Sequence, residues 1–188
     1  MPTPFVLVVT GRPGSGKTTL AHRLAQALHC PALCRDEFKE GYVRTQAISH
    51  NVLGPEVNGR LYHIFFESVG FVVEQGVSVV IEAAFQHRLW EGPLLALAQK
   101  ARIAVVVCAV APALAQARAI ERGLADPTRE YFHGDPVVAA ARQGIETPPG
   151  EYTPPRLDFP TLTVDTTDGY APELAEIVDF ARSAAGWG

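Results

Sequence analysis

Five short apolar runs alternate along the chain with segments of helical periodicity. The runs are Phe5–Thr10, Ala32–Cys34, Val77–Ile81, Ile103–Val110 and Thr161–Val164. Strands that are buried on both faces read as continuous apolar runs, not as an alternation of apolar and polar residues. Strands separated by helices form parallel sheets whose faces the helices cover. The pattern therefore predicts an α/β fold with one five-stranded parallel sheet and helices on both faces.

The segments between these runs predict the helices. In the first segment Leu20, Leu24 and Leu28 recur every four residues and so share one face. Asp36 is placed to cap the second helix, and Pro93 suits the first turn of the fourth. The region 123–160 is rich in glycine, proline and charge, and predicts one helix. The predicted spans are Lys17–His29, Asp36–Thr45, Glu56–Glu74, Pro93–Ala101, Pro112–Arg122, Pro136–Gln143 and Pro172–Ala185.

The turn between the first strand and the first helix, GRPGSGKTT, has the spacing of a phosphate-binding loop. Its glycines allow successive N–H groups to point at one phosphate, and the start of the helix adds a positive dipole end. Lys17 supplies a flexible cation for the terminal phosphates, and the Thr18 hydroxyl can hold Mg²⁺. The alternative is a glycine-rich turn without a ligand. We expect ATP to bind here with Mg²⁺, through Gly11, Arg12, Pro13, Gly14, Ser15, Gly16, Lys17, Thr18 and Thr19.

Two acidic residues favour a small kinase among the proteins that carry such a loop. The chain lacks the NKxD-type segment with which a GTPase reads its base, and its length excludes the further modules of a motor ATPase. A kinase needs a base for the acceptor, an acid near the metal and arginines over the phosphates. Asp36 follows the second strand and Glu82 ends the third, at the edge where open α/β sheets bind ligands. The alternatives are a plain helix cap at Asp36 and a surface acid at Glu82.

Arginines of the required kind lie in ARAIERGLADPTRE. Arg118 and Arg122 are four residues apart and share a helix face, where like charges cost about 0.2–0.5 kcal/mol. An anion between them would reverse that penalty, although Glu121 could partly neutralise them. Arg129 follows in a loop-like stretch suited to a lid, which we place at about residues 118–145. The alternative is a solvated basic helix.

Composition narrows the classes of protein that fit. The 188 residues suit one domain, and 47% hydrophobic with 19% charged residues is a globular composition. A net charge of −4 argues against a dedicated nucleic-acid binder. No apolar run is long enough for a membrane span and no leader is recognisable, so we expect a cytoplasmic protein. Cys30, Cys34 and Cys108 are too few for a disulfide framework, and we interpret them as buried thiols, with metal or redox use as the alternative.

The sequence resembles the small P-loop kinases with an AAA-type domain label, which include zeta-toxin, chloramphenicol phosphotransferase and polynucleotide 5′-hydroxyl kinase relatives. The resemblance is carried by GRPGSGKTT, CRDEFKE, VVIEAAF and TLTVDTTDGY. It implies that Asp36 is the catalytic base and that Lys39 stands where polynucleotide kinases carry a second arginine. It also implies that Asp165, Thr166 and Thr167 line the base pocket, and that the strand order is 2-3-1-4-5.

These observations together predict an ATP-dependent phosphotransferase that acts on a hydroxyl of a small-molecule acceptor. Catalysis is assigned to Lys17, Asp36, Arg118 and Arg122, nucleotide binding also to Arg129, and the metal to Thr18 and Glu82. The residues assigned to the acceptor site are Asp36, Lys39, Arg44, Arg60 and His63. Lys39 and Arg44 suggest an acceptor that carries negative charge or several hydroxyls. His133 and Asp135 are interpreted as a lid contact or a turn cap. A polynucleotide 5′-hydroxyl kinase and a non-catalytic ATP-binding switch stay as alternatives.

Overall fold

The computed structural model describes residues 2–84 and 86–187. Within these residues the chain forms a five-stranded, all-parallel sheet in the order β2-β3-β1-β4-β5. The strands are β1 (Phe5–Gly11), β2 (Ala32–Cys34), β3 (Val79–Glu82), β4 (Arg102–Ala109) and β5 (Thr161–Asp165). The predicted fold class and strand order are therefore confirmed.

Eight α-helices occur in the described residues, with a short 3₁₀ turn at His50–Val52. They are α1 (Lys17–Ala27), α2 (Arg35–Gln46), α3 (Pro55–Glu74), α4 (His87–Ala98), α5 (Pro112–Ala125), α6 (Thr128–His133), α7 (Pro136–Arg142) and α8 (Leu174–Ala185). None of the helices in this part of the chain has both the length and the apolar character that crossing a bilayer requires.

Helices cover both faces of the sheet, as predicted. On one face α1 and α8 pack their apolar side chains, among them Leu20, Leu24 and Ile177, against Leu7 and Val9. On the other face α3 and α4 do the same, with a cluster centred on Phe65, Val69, Trp90 and Leu94. Because alternate residues of a strand point to opposite faces, β1 supplies both cores and is buried along its whole length.

The register brings the carboxyl ends of the central strands to one edge. Val9 of β1 and Cys34 of β2 are both paired with Glu82 of β3, and Gly11 is paired with Cys108 of β4. The loop after β1 and the start of α2 therefore leave the sheet side by side with Glu82. This edge is where an open α/β sheet binds its ligand.

One predicted helix boundary is wrong for a reason that lies in tertiary structure. Pro93 is in the interior of α4, which begins at His87, and not in its first turn. Proline has no N–H, so the carbonyl of Leu89 loses its partner within the helix. The Tyr62 hydroxyl of α3 donates a hydrogen bond of 2.5 Å to that carbonyl. A neighbouring helix thus satisfies the group that the proline leaves free.

Three further expectations about helices are corrected. Asp36 does not cap α2, because the helix begins at Arg35 with Cys34 at the N-cap position, which puts Asp36 in the first turn. The region 123–160 contains α6 as well as the predicted α7. The last helix begins at Leu174, not Pro172, because a capping box between Glu173 and Glu176 fixes its start.

Candidate active site at the carboxyl edge of the sheet

The loop between β1 and α1 has the backbone shape that the glycine pattern predicts. Gly14 and Gly16 have φ values of 83° and 78°, in the left-handed region that favours glycine. A side chain at Gly14 would also collide with the carbonyl of Ala115 in α5. Gly16 is the N-cap of α1, so the loop leads directly into free N–H groups at the start of that helix. This geometry forms a concave anion site.

Glu82 contacts the side chains of both Lys17 and Thr18, the two residues that follow Gly16. The Thr18 hydroxyl donates to Glu82 Oε2 at 3.1 Å, and Lys17 Nζ lies 3.7 Å from Glu82 Oε1. Glu82 is 1% exposed, and burial raises the pKa of its carboxyl, although Lys17 opposes the shift. A hydroxyl and a carboxylate are oxygen ligands of the kind that Mg²⁺ prefers. These donors fit the predicted metal.

Ser15 in the same loop packs inward. Its Oγ is buried without a hydrogen-bond partner among residues 2–84 and 86–187. It lies so close to Gly11 that a side chain at that position would collide with it. An unpaired buried hydroxyl is destabilising, by about 1–3 kcal/mol.

Asp36 lies in the first turn of α2 beside several cations. Its carboxylate accepts a hydrogen bond of 3.1 Å from Arg35. Partial burial raises the pKa of Asp36, but Lys39, Arg35 and Lys17 outweigh that effect, so the pKa lies below its ordinary value. The group is therefore ionised at neutral pH, which is the state in which a carboxylate can accept a proton.

A cleft of about 750 Å³ opens in front of these residues. The phosphate-binding loop and α2 form one wall, with Asp36 and Lys39. Side chains near the start of α4 and from α3 form a second wall, and the segment from α5 to α7 forms a third. The lining residues that the sequence analysis did not assign to this site are Cys34, Arg35, Glu37, Glu40, Tyr62, Ala83, Ala84, Gln86, Arg88, Leu89, Trp90, Gly134 and Pro136.

A second cleft, of about 540 Å³, lies on the other side of the loop. Arg118 lines it and donates to the carbonyls of Thr166 and Thr167, at 2.9 and 2.6 Å. Of the three residues predicted to line a base pocket, Thr166 lines this cleft, whereas Asp165 accepts a hydrogen bond from the Thr167 backbone and shapes the turn. The remaining lining residues that sequence reasoning missed are Arg23, Asp168, Gly169, Tyr170, Glu173 and Leu174.

The predicted arginine pair is divided between the two clefts. Arg118 is held at the second cleft by two carbonyls, whereas Arg122 lines the first cleft together with Arg129. Burial lowers the pKa of Arg122, and the charge of Arg129 lowers it further. The expectation that Arg118 and Arg122 hold one anion between them is corrected, because α6 turns back and makes Arg129 the neighbour of Arg122.

Three of the residues predicted to contact an acceptor lie outside the first cleft. Arg44 stacks over Phe132 at 5.0 Å, and Arg60 lies over the ring of Tyr42 at 5.3 Å. His63 packs edge-on against Tyr62. Arg44 is about two turns beyond Asp36, and a helix rises about 1.5 Å per residue away from the edge. Lys39, one turn from Asp36, does line the cleft and is only 7% exposed.

The lid contacts α2 through a close contact between a histidine and a carboxylate. His133 Nε2 lies 2.7 Å from Glu40 Oε1, and both residues line the first cleft. Burial lowers the pKa of His133, as does the charge of Arg129. Asp135 Oδ1 accepts from the Val137 N–H at 3.0 Å and so caps α7. His133 is thus a lid contact and Asp135 is a helix cap, the two interpretations that the sequence left open.

Comparison with protein families gives one match that spans most of the chain. A family model described as an AAA domain, AAA_33, matches residues 6–147. This range contains the phosphate-binding loop, Asp36, Glu82 and the lid. No curated protein sequence matches the chain at a significant level.

Solved structures with the same fold include kinases. A candidate kinase from Chloroflexus aurantiacus is 26% identical, with a TM-score of 0.79 over 100% of this chain and 99% of the other. The APS kinase of Mycobacterium tuberculosis, solved with AMPPNP and APS, is 17% identical, with a TM-score of 0.60 over 96% and 98% of the chains. A gluconokinase from Sinorhizobium meliloti is 19% identical, with a TM-score of 0.54 over 98% and 92%.

Proposed function

Because the chain belongs to the AAA domain family AAA_33 and has the fold of P-loop kinases, we propose that it is an ATP-dependent phosphotransferase. It transfers the γ-phosphoryl group of ATP to a hydroxyl of a small acceptor. The observation that carries this proposal is the convergence of Lys17, Thr18, Glu82 and Asp36 on one edge of the sheet, beside a cleft of about 750 Å³. A nucleotide-binding switch needs the first three residues but not an ionised carboxylate on the acceptor side.

Each residue has a role that follows from its position. The loop amides and Lys17 bind the phosphates, while Thr18 and Glu82 hold Mg²⁺ directly or through water. When bound, ATP supplies the phosphoryl group and Mg²⁺ neutralises charge on its oxygens. Asp36 accepts the proton of the attacking hydroxyl, because the nearby cations keep it ionised. Arg122 and Arg129 neutralise the charge that develops on the transferred group.

The base of the nucleotide belongs in the second cleft. Arg118 holds the loop after β5 by two hydrogen bonds, and Tyr170 supplies an aromatic ring beside Arg23 at 5.6 Å. Thr19 lines this cleft as well as the first, so it lies where the two clefts meet around the loop. Arg118 therefore acts in nucleotide binding and not at the transferred group.

Charge on the cleft walls favours an acceptor that is itself an anion. Lys39 and Arg88 line the first cleft and form no ion pair within the described residues. Arg88 is exposed, whereas Lys39 is buried with the charge of Asp36 nearby. Burial of a charge is costly, and an acidic group of the acceptor would pair with these cations. Tyr62 and Trp90 line the same side and offer apolar surface to a sugar or a ring. We therefore assign a hydroxyl-bearing carboxylate or phosphate ester as the acceptor.

Release of ADP from Mg-ATP tests the proposal with matched pairs of acceptors. The pairs are aldonic acids with neutral sugars, and nucleoside monophosphates with nucleosides; 5′-hydroxyl oligonucleotides form a separate arm. We expect an anionic member to raise ADP release in the wild type and not in Asp36→Asn. Stimulation by oligonucleotides alone identifies a polynucleotide kinase. Tight ATP binding with no stimulation by any acceptor contradicts phosphotransfer and favours a switch.

A further inference from the structure

Three side chains from different elements place metal-ligating atoms together beside the first cleft, which two of them, Cys34 and Glu37, line. His22 lies on α1, Cys34 ends β2, and Glu37 is in the first turn of α2. One ligand atom from each lies within 4.8 Å of the others. His22 Nε2 is 3.6 Å from Cys34 Sγ and 2.7 Å from Glu37 Oε1. A nitrogen, a sulfur and a carboxylate oxygen are the ligand types of protein-bound zinc.

The separations suit a tetrahedral ion. With zinc bonds of about 2.0 Å to nitrogen and 2.3 Å to sulfur, the two ligand atoms lie about 3.5 Å apart. The distance between His22 and Cys34 already has that value. The contact between His22 and Glu37 must widen by about half an ångström to admit the ion. Their side chains are 51% and 48% exposed, so both can move and solvent reaches them.

Charge around the thiol also favours a cation. The carboxylates of Glu82 and Glu37 both lie near the Cys34 thiol, and both would attract a bound divalent cation. Binding releases the thiol proton to solvent and leaves a sulfur–metal bond, without any change of oxidation state.

We propose that His22, Cys34 and Glu37 form a binding site for a thiophilic divalent cation, with Zn²⁺ as the best match. Three protein ligands leave one position of a tetrahedral ion open to water or another ligand. The ion joins α1 to the first turn of α2, on which Asp36 lies between two of the ligands. The site adjoins Glu82, which pairs with Cys34 across the two strands, but its nitrogen, sulfur and carboxylate donors differ from the oxygen ligands Thr18 and Glu82. Its existence does not depend on phosphotransfer.

Co²⁺ is the probe that identifies a thiolate ligand in the nucleotide-free protein. We expect one equivalent of Co²⁺ to give a sulfur-to-metal charge-transfer band in the near ultraviolet and the strong visible bands of a tetrahedral site. Cys34→Ser should abolish the charge-transfer band. Titration calorimetry with Zn²⁺ in two buffers of different ionisation enthalpy should show release of a proton on binding.

Variants at the exposed ligands separate loss of binding from loss of fold. His22→Gln and Glu37→Gln alter half-exposed side chains, and we expect each to weaken Zn²⁺ binding by roughly 10-fold or more. Cys30→Ser and His63→Gln are the matched controls, and should bind as the wild type does. The proposal is overturned if the wild type gives no charge-transfer band, if Cys30→Ser removes it, or if His22→Gln and Glu37→Gln bind Zn²⁺ with unchanged affinity.

Discussion

Replacement of Lys39 by methionine should make the protein more stable while it removes a contact for the acceptor. Lys39 is 7% exposed and forms no ion pair within the described part of the chain. Burial lowers its pKa below the ordinary value of 10.5, although Asp36 opposes the shift. The lowered pKa means that the folded state disfavours the charged form. Methionine keeps most of the apolar stem and needs no counter-charge.

We expect the free energy of unfolding to rise by about 1 kcal/mol in Lys39→Met, at the low end of the range for apolar replacement of buried charges. For a chain of this size such a gain raises Tm by about 2–4 °C. Asp36 stays ionised in the variant, because Arg35 and Lys17 remain beside it. Methionine has a sulfur in place of the lysine Cδ and lacks the amine, so its side chain is one heavy atom shorter and the free-energy cost of a cavity is small.

The sign of the pH dependence gives a second check. The folded-state pKa of Lys39 is depressed, so the unfolded chain binds more protons in the interval just below pH 10.5. Wild-type stability therefore rises with pH through that interval, as the buried amine becomes neutral. Lys39→Met lacks this contribution. The difference in stability between Lys39→Met and the wild type should be largest near neutral pH and should become smaller toward pH 10.

Thermal unfolding by circular dichroism at several pH values between 7 and 10 measures both effects. Lys100→Met is the matched control, because Lys100 pairs with Glu74 at 2.5 Å with both side chains 53% exposed. An exposed pair of this kind contributes little, so the control should stay within about 0.5 kcal/mol of the wild type. A Lys39→Met protein that unfolds below the wild type at pH 7, or whose advantage does not change with pH, refutes the reasoning.

Three other changes test the site and its support. In the presence of an acceptor that stimulates ADP release, Asp36→Asn should lower turnover by about 10²–10⁴-fold. The affinity for fluorescent ATP analogues should stay unchanged. Arg118→Ala should weaken the binding of those analogues by about 10-fold, since it frees the loop that carries Thr166, a loss of about 1.4 kcal/mol. Tyr62→Phe should cost about 1 kcal/mol in thermal unfolding, because the Leu89 carbonyl opposite Pro93 loses its donor. In Tyr62→Phe, the further change Pro93→Ala should recover stability, because it restores a helix N–H.

Each of these changes has a control of the same kind. Asp179→Asn removes an exposed carboxylate of α8, Arg182→Ala removes an exposed arginine of the same helix, and Tyr42→Phe removes a hydroxyl at the surface. Equal turnover of Asp36→Asn and the wild type argues against the base. Equal nucleotide affinity of Arg118→Ala and Arg182→Ala contradicts a role at the second cleft. A Tyr62→Phe protein as stable as Tyr42→Phe means that the Leu89 carbonyl finds another partner.

The parts of the site that the sequence predicted are those set by strand ends. Gly14 and Gly16 adopt the conformations that a phosphate-binding loop requires, because strand, loop and helix are contiguous in the chain. Glu82 could be placed near Thr18 because parallel strands end at the same edge. The order of five strands followed from the resemblance to P-loop kinases and not from periodicity, which gives elements but not their neighbours.

The features of the site that could not be predicted from the sequence depend on contacts between elements that are distant along the chain. Arg44 has the right charge for an acceptor site, but it lies about two turns along α2 from Asp36 and stacks on Phe132, outside the first cleft. The position of Pro93 within a helix depends on a hydroxyl from α3. His22 and Cys34 have no metal-ligand spacing in the sequence, because their proximity arises only when α1 packs beside the end of β2. Side-chain periodicity carries none of this information.

The course of α5 explains why two arginines one turn apart have different partners. Gly14 must be glycine because α5 approaches the loop so closely at Ala115, and this contact fixes the helix beside the phosphate site. Arg118 then reaches carbonyls beyond β5, while Arg122, one turn later, lines the first cleft with Arg129. A single helix therefore borders both clefts. Its position relative to the loop sets the arginine positions in both clefts, which is why a side chain at Gly14 would disturb both.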